Sequence, residues 1–587
     1  MLTIAKAQWF WQNPLPQGSS LHSVKFINSN TGFAVGDFGT ILKTIDGGIN
    51  WALQASGTNH NLNSIYFNND NNGFLVGESG TLLKTIDGGI NWIPQESDTK
   101  NQLNSICFTD ANNGFAVGNK GTIINTNDGG TTWNTIESGT KNQLFSICFT
   151  NTLKGFITGE GGTVLKTSDG GNTWTNSPND GSENSESVCF PNEKTGYIAT
   201  GSGNILKTID SGNNWSIQNT DCGYGLFSVY FTDVNNGYVV GESGTVLKTI
   251  NGGESWISKP RCTSKCLYSV CFINANVGYA VGDGGCILRS NDAGKSWLLV
   301  TNGCNRSLKS VFFSDANNGY CVGDFGSILK TTTGGEKWLL LNSGTSENLK
   351  SVYFTDVNIG YAVGDDETIL KTSNGGNTWT VLTKGAEVKL YSVWFTDANT
   401  GFVVGEAGII FKTTDGGNKW IIQKKNSANI LYSVSFVTPL IGYAVGTNGT
   451  ILKTANAGDS WINESGEIKK NLKSVCFTDA NTGYAVGNDG LIIKTINGGN
   501  DWVSQKSNAT VDLYSVCFPN SNTGYAIGDE GRILKTINGG HTWEPQHSVT
   551  TSDLNSVFFI DANTGYTIGS EGCILKTITG GEGIKNQ

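Results

Sequence analysis

No stretch of this chain approaches the roughly eighteen consecutive apolar residues that a membrane-crossing helix needs, and long apolar patterns of helical period are absent, which excludes a bilayer span built of helices. Proline is scarce, at 9 residues against 79 glycines, and only 15% of residues are charged, so the chain lacks the charge-rich, core-poor profile of a disordered protein. Cations are few: Lys and Arg total 39 against 49 Asp and Glu, and the net charge of −10 argues against broad binding to nucleic acid or anionic membrane. Arginine stands only at Arg261, Arg289, Arg306 and Arg532. Irregularity is missing too.

What is present is a period. Stepping by 41 from Trp51 reaches Trp92, Trp133 and onward to Trp543, then Ile584, which makes fourteen repeats without an insertion. A serine keeps the same step from Ser23 to Ser556, always with Phe three residues later, and Gly followed by Phe or Tyr ("GFAVG" at Gly32, "GYAVG" at Gly360) keeps it as well. Each repeat holds four short β-type runs, in the second copy "LNSIYF", "GFLVG", "GTLLKT" and "WIPQ", separated by Asn, Asp and Gly turn chemistry. One four-stranded sheet cannot bury both its faces, so near-identical sheets must stack face to face around an axis. The expected fold is all-β, a β-propeller of fourteen four-stranded blades.

The turn "T.DGG..W" (Thr44, Asp46, Gly48, Trp51) resembles the Asp-box, the bacterial neuraminidase repeat found between the third and fourth strands of propeller blades. Its acid is Asp46, Asp87, Asp128, Asp169, Asp210, Asp292 or Asp415 in seven copies, Asn in five and Thr in two, an exchange no catalytic carboxylate survives; the motif is read as structural. With "GY.VG" and "ILKT..GG..W", the whole repeat looks like that of the photosystem II assembly and stability factor family and of related secreted bacterial proteins. The resemblance implies the fold over residues 8 to 587. Three functional readings stand: a binding or scaffold protein, because no loop grows by one residue from repeat to repeat as an enzyme's loops would; a glycoside hydrolase of the sialidase or xyloglucanase type, which the Asp-boxes imply; and an assembly factor for a membrane complex, which the family resemblance implies.

Phe10 aligns with the tryptophan column, and "QWFWQNPLPQ" has the place of the outer strand that the fourteenth repeat lacks, so residues 8–17 are expected to close the last blade and remove its exposed edge. Residues 1–7, with Ala5-Lys6-Ala7, read as the remnant of an export signal, and the protein is expected outside the cytoplasm. Peculiarities recurring seven repeats apart, such as "GDFG" at Gly36 and Gly323, suggest a duplicated seven-repeat unit. Two rings closed alike by strand exchange would nevertheless break the turn at Ser290 to Trp297, a well-formed Asp-box. One fourteen-bladed ring is therefore the expectation, with a channel of about 45 Å between backbones, and two seven-bladed rings of about 22 Å, joined near residues 297–306, are the alternative.

Candidate chemistry is sparse. Thirteen lysines or arginines occupy one position of the "ILKT" strand and read as a solvated face. Cys107, Cys148, Cys189, Cys271, Cys476 and Cys517 share a buried strand position as small hydrophobes, whereas Cys222, Cys262, Cys266 and Cys304 fall in equivalent loops as candidate disulfide partners. Glu78, Glu160, Glu242 and Glu406 repeat in a "GE.G" turn and read as structural, so no residue is assigned a catalytic role, and no metal or cofactor is expected. The residue before the fixed Ser varies freely. Its aromatic and basic versions, His22, Phe145, Phe227, Tyr268, Lys309, Lys350, Tyr391, Tyr432, Lys473 and Tyr514, are the candidate contacts for a protein or glycan partner near a channel mouth. A monomeric, non-catalytic binding protein is the leading reading.

Overall fold

The computed structural model describes residues 9–13, 17–177, 183–300, 306–383, 387–424 and 427–581. They form fourteen four-stranded antiparallel sheets. In blade 1 the inner strand Leu21–Phe26 pairs with Gly32–Gly36, which pairs with Ile41–Thr44, which pairs with the outer strand Ala52–Gln54. The second strand is buried along its whole length because blades cover both its faces, which is why it reads as a continuous apolar run and not as an alternation. The outer strand is largely exposed.

Three aromatics build each joint between blades. Phe33 of blade 1 stacks on Phe67 of blade 2 at 4.9 Å, and Trp92 of blade 2 stands edge-on to both, at 6.3 and 6.0 Å. The periodic Phe, Phe/Tyr and Trp of the sequence are thus one packing unit, worth about 0.5–1.5 kcal/mol per ring pair beyond the burial itself. The same joint explains the unchanging glycine of the Asp-box. Gly48 sits at φ +77°, and a Cβ there would lie 2.4 Å from the Tyr279 hydroxyl oxygen.

The expectation of one fourteen-bladed ring is overturned. The chain forms two compact units, Pro16–Asn302 and Gly303–Gln587, the second including Lys6–Leu15, and each is a seven-bladed propeller. In the first, the inner strand of blade 1 packs on that of blade 7, Leu267–Phe272. Phe26 stacks on Tyr279 at 4.7 Å, the Tyr279 hydroxyl donates to the Gly47 carbonyl, and the Val24 N–H donates to Ser269 Oγ at 3.3 Å. In the second, Phe313 of blade 8 stacks on Tyr566 of blade 14 at 4.1 Å, and the Gly334 carbonyl accepts from both the Tyr566 hydroxyl and the Lys576 ammonium at 2.6 Å. The Ser290–Trp297 turn is intact, as its sequence requires: blade 7 keeps its own outer strand, Leu298–Leu299. The first ring closes by face packing alone, without an exchanged strand.

The closing strand is where it was expected, in the second ring. Phe10–Asn13 pairs antiparallel with Ile574–Thr577 of blade 14. One correction is needed: Trp9, and not Phe10, takes the place of the missing tryptophan, fully buried and edge-on to Tyr525 at 6.4 Å and Phe559 at 6.0 Å. Residues 1–7, expected as an export remnant, lie outside the described residues. No helix among the described residues is long and apolar enough to cross a membrane.

Candidate ligand-binding site

Most of the repeated polar chemistry belongs to the scaffold. In the Asp-box turn, Thr44 Oγ1 accepts from the Gly48 N–H at 2.8 Å and donates to Asp46 Oδ1 at 2.9 Å, while the Asn50 N–H and Nδ2 donate to the two carboxylate oxygens at 2.9 and 2.7 Å. Asp87, Asp128, Asp169, Asp210, Asp292 and Asp415 likewise accept the N–H four residues on. Donation from the side chains of Thr173, Asn214 and Ser296, joined by backbone N–H groups, holds Asp169, Asp210 and Asp292 down at about 2. Glu78, Glu160, Glu242 and Glu406 each accept a backbone N–H at the start of their own inner strand, from Asn61, Gln143, Gly225 and Lys389, at 3.1–3.3 Å. These acids are turn braces.

The lysines of the third strand are not a solvated face, which corrects the sequence reading. Lys43 Nζ donates to the Gly88 carbonyl of the next blade at 2.8 Å, and Lys84, Lys207, Lys371, Lys453 and Lys494 repeat the contact. Half-buried, these amines satisfy a turn carbonyl that the tyrosine hydroxyl of the same blade also reaches, as Tyr197 and Lys207 do on Gly252. The fixed serine is likewise interblade mortar: in the second propeller all seven serines accept the N–H of the residue following the next blade's serine, at 3.2–3.4 Å.

That leaves the residue before the serine. In every blade the ladder between inner and second strands slips at this residue: Leu21 faces Gly36 and Ser23 faces Val35, so His22 is the extra residue of a β-bulge, and the slip recurs fourteen times. A bulge residue leaves the pairing register and its side chain is re-aimed, which frees the position to vary. In several blades it faces the first residue of the turn that follows the second strand of the same blade. His22 Nε2 lies 2.7 Å from Asp37 Oδ1, Lys350 Nζ lies 3.6 Å from Asp365 Oδ2, and burial, with the Asp283, Glu406 and Asp529 carboxylates adding to it, pushes the Tyr268, Tyr391 and Tyr514 phenols up. This pairing was not read from the sequence, although both positions repeat every 41 residues.

Six of the ten candidate residues form two clusters, three in each propeller. In the first, Phe227, Tyr268 and His22 of blades 6, 7 and 1 run as an arc, with ring centroids 5.5 Å apart at both steps. Phe145, two blades before Phe227, has no ring neighbour in that arc. In the second, Tyr391 meets Tyr432 edge-on at 5.2 Å, and Lys473 Nζ stands 4.2 Å from the centre of the Tyr432 ring. Burial pulls the Lys473 amine below its ordinary value, partly countered by Asp512 and Asp529. Tyr514 lies beyond Lys473, in blade 13, whereas Lys309 is turned to Ser307 Oγ at 2.9 Å.

Cys222, Cys262 and Cys266, expected as disulfide partners, are unpaired thiols, and Cys304 lies outside the described residues. Cys262 Sγ is instead 2.8 Å from the Trp297 carbonyl. Burial pushes the Cys107, Cys271 and Cys517 thiols up to about 12, which leaves them protonated and inert. No group of three or more His, Cys, Asp or Glu among the described residues is placed to hold a metal ion.

The family model described as photosynthesis system II assembly factor YCF48 matches residues 3–94, 53–136, 91–218, 215–303, 290–383, 338–428, 420–511 and 503–578. No curated protein matches the chain. Among solved structures, an ancestral GH74 enzyme is similar with a TM-score of 0.65 and 13% identity over 99% of this chain and 100% of that one. The GH74 enzyme of Niastella koreensis follows at 0.57 and 14%, over 97% and 99%. YCF48 bound to D1 peptide matches at 0.42 and 20%, over 47% of this chain and 94% of that one. At these identities the likeness is one of fold.

Proposed function

This chain belongs to the YCF48 family of photosystem II assembly factors, and from that premise we propose that it is a non-catalytic binding protein that docks a polypeptide segment on the bulge ring of its second propeller. The observation that carries the proposal is the Tyr391–Tyr432–Lys473 cluster, three consecutive blades in which the freely varying bulge residue is aromatic or basic and the three side chains touch. Half-buried tyrosines offer large contact faces at little cost in side-chain entropy, and a partly desolvated ammonium offers charge to a carboxylate. The segment this surface suits is extended, with apolar or aromatic side chains beside an acid. Membership of an assembly-factor family favours a polypeptide over a glycan, and in its finer form the reading makes that segment part of a subunit of a membrane complex under assembly.

The GH74-like fold is the ground for a hydrolase reading. Against it stands the use of the repeated carboxylates: glycosidases need two carboxyl groups about 5–9 Å apart across a cleft, and the Asp-box and GE.G acids are spent on backbone amides. The test screens the full-length protein against a peptide-display library and a glycan array, beside Tyr391→Ala/Tyr432→Ala. Peptides rich in acidic and aromatic residues are expected to be captured, with at least a tenfold loss in the double variant. Unchanged capture overturns the site, and release of reducing sugar from xyloglucan overturns the non-catalytic reading.

A further inference from the structure

The repeat is so regular that its departures stand out, and four of them meet at the mouth of blade 5 in the first propeller. Ser185 replaces the leucine that opens the inner strand in every other blade, Glu186 is the acidic residue among the fourteen bulges, Thr200 replaces an otherwise unchanging glycine, and Gly201 takes a turn position that holds an acid in most blades. The Thr200 exchange has a structural cost. At the matching Gly36 a Cβ would fall 1.9 Å from the Ser20 carbonyl oxygen, so a side chain is admitted only if the turn is rebuilt. It is rebuilt in blade 5: the Thr200 hydroxyl donates to the Asn204 carbonyl at 2.9 Å and accepts the Asn204 N–H at 3.1 Å, in place of the tight helical turn of its neighbours.

The consequence falls on Glu186. In blades 1, 3 and 9 the polar bulge side chain reaches the first residue of that turn, as His22 does Asp37, Asn104 does Asn119 and Lys350 does Asp365. Here that residue has no side chain, and a Cβ on Gly201 would sit 3.4 Å from Glu186 Oε1. The carboxylate is half-buried and makes no ion pair among the described residues. Burial raises its proton affinity. Phe145 and Phe227 hold the bulge positions of the two flanking blades, whose inner strands pack on either side of Ser185–Cys189. In the same sector the hydroxyls of Ser185 and Thr158 are buried without a hydrogen-bond partner among the described residues. A carboxylate without an ion-pair partner, on a strand flanked by two blades whose bulge residues are aromatic, is an arrangement that can receive an organic cation, and a guanidinium fits it best, since it is planar, stacks on rings and meets a carboxylate through two N–H groups.

We propose that blade 5 is a station for an arginine side chain of a partner polypeptide, with Glu186 accepting its guanidinium between Phe145 and Phe227. The inference shares with the proposed function the premise that bulge side chains contact ligand, but it uses the other propeller. The test titrates hexa-arginine and hexalysine peptides by calorimetry into the full-length protein, Glu186→Gln, Phe145→Ala/Phe227→Ala, and the charge control Glu544→Gln on the exposed outer strand of blade 13. The isosteric Glu186→Gln is expected to bind hexa-arginine at least tenfold more weakly with an unchanged melting profile, the double aromatic variant to weaken it several-fold, and Glu544→Gln to leave it within twofold. Hexalysine should bind wild type several-fold more weakly than hexa-arginine. Equal affinity of Glu186→Gln and wild type, or equal losses in Glu186→Gln and Glu544→Gln, overturns the proposal. Peptide capture at Tyr391 and Tyr432, measured on the same Glu186→Gln protein, separates the two readings: capture retained while hexa-arginine binding is absent from wild type sinks this inference alone, and the converse sinks the other alone.

Discussion

Replacing Trp9 by alanine removes the one indole that the fourteenth blade does not encode for itself. The side chain is fully buried in the joint between blades 13 and 14, edge-on to Tyr525 and Phe559, and its strand supplies the outer edge of blade 14. A buried Trp→Ala exchange costs about 3–5 kcal/mol, transfer and cavity terms together. For a cooperative unit of roughly 300 residues the entropy of unfolding converts each kcal/mol into about 2 °C, so the second propeller should melt about 6–10 °C lower. Differential scanning calorimetry is the assay. Two transitions are expected, of which only the one belonging to the second propeller moves, while Trp92→Ala, the equivalent change in blade 2, moves only the other. A shift below about 1 °C, or both transitions falling together in Trp9→Ala, would refute the reasoning, because a single continuous ring would share the loss.

Gly335→Ala introduces a Cβ 2.7 Å from Tyr566 at a residue of φ +85°, in the joint that closes the second ring; it should lower that transition by about 1–3 kcal/mol in urea titration and leave the first alone. Ser269→Ala removes the acceptor of the Val24 N–H in the joint that closes the first ring, and should cost about 1 kcal/mol on the first transition. The Asp-box acids predict acid sensitivity: Asp169, Asp210 and Asp292 titrate at about 2 when folded against an ordinary value of 3.8, so their contribution is complete above about pH 4 and lost as pH falls through about 2. Urea midpoints should be flat from pH 7 to 5 and fall below pH 4, and Asp169→Asn should flatten the fall.

The blades, their order and the closing strand were legible because a 41-residue step with fixed Phe, Trp and Gly admits one four-stranded unit. The number of rings was not, and the reason is the repetition itself. Phe26 needs a second-strand aromatic from a neighbour, and Tyr279 of blade 7 and Tyr566 of blade 14 are equivalent as partners, so composition cannot say which one it meets. Face packing closes the first ring without any strand to mark the event. Trp9 was missed by one residue because a count of 41 back from Trp51 assumes the usual spacing to the next inner strand, whereas the strand pairs Phe10 with Lys576 as Ala52 pairs with Lys43 and the chain from it to blade 1 is one residue longer. The lysines misled for a different reason: their position looks like the polar face of a strand, and only the neighbouring blade supplies the Gly88-type carbonyl they serve. Of the candidate site, the variable position before each serine was visible as variability, whereas the bulge that explains it is a property of pairing. The blade 5 departures were visible too, as Thr200 at a glycine position and Gly201 at an acidic one, but their meaning depends on the close contact at Gly36 that forbids a side chain there.

The claim on which the rest depends is that fourteen like blades close as two rings of seven, the second completed by the amino-terminal strand. Class averages of single particles viewed down a propeller axis test it most directly. Seven blades around each axis is the predicted count, and fourteen blades around one axis would contradict the account.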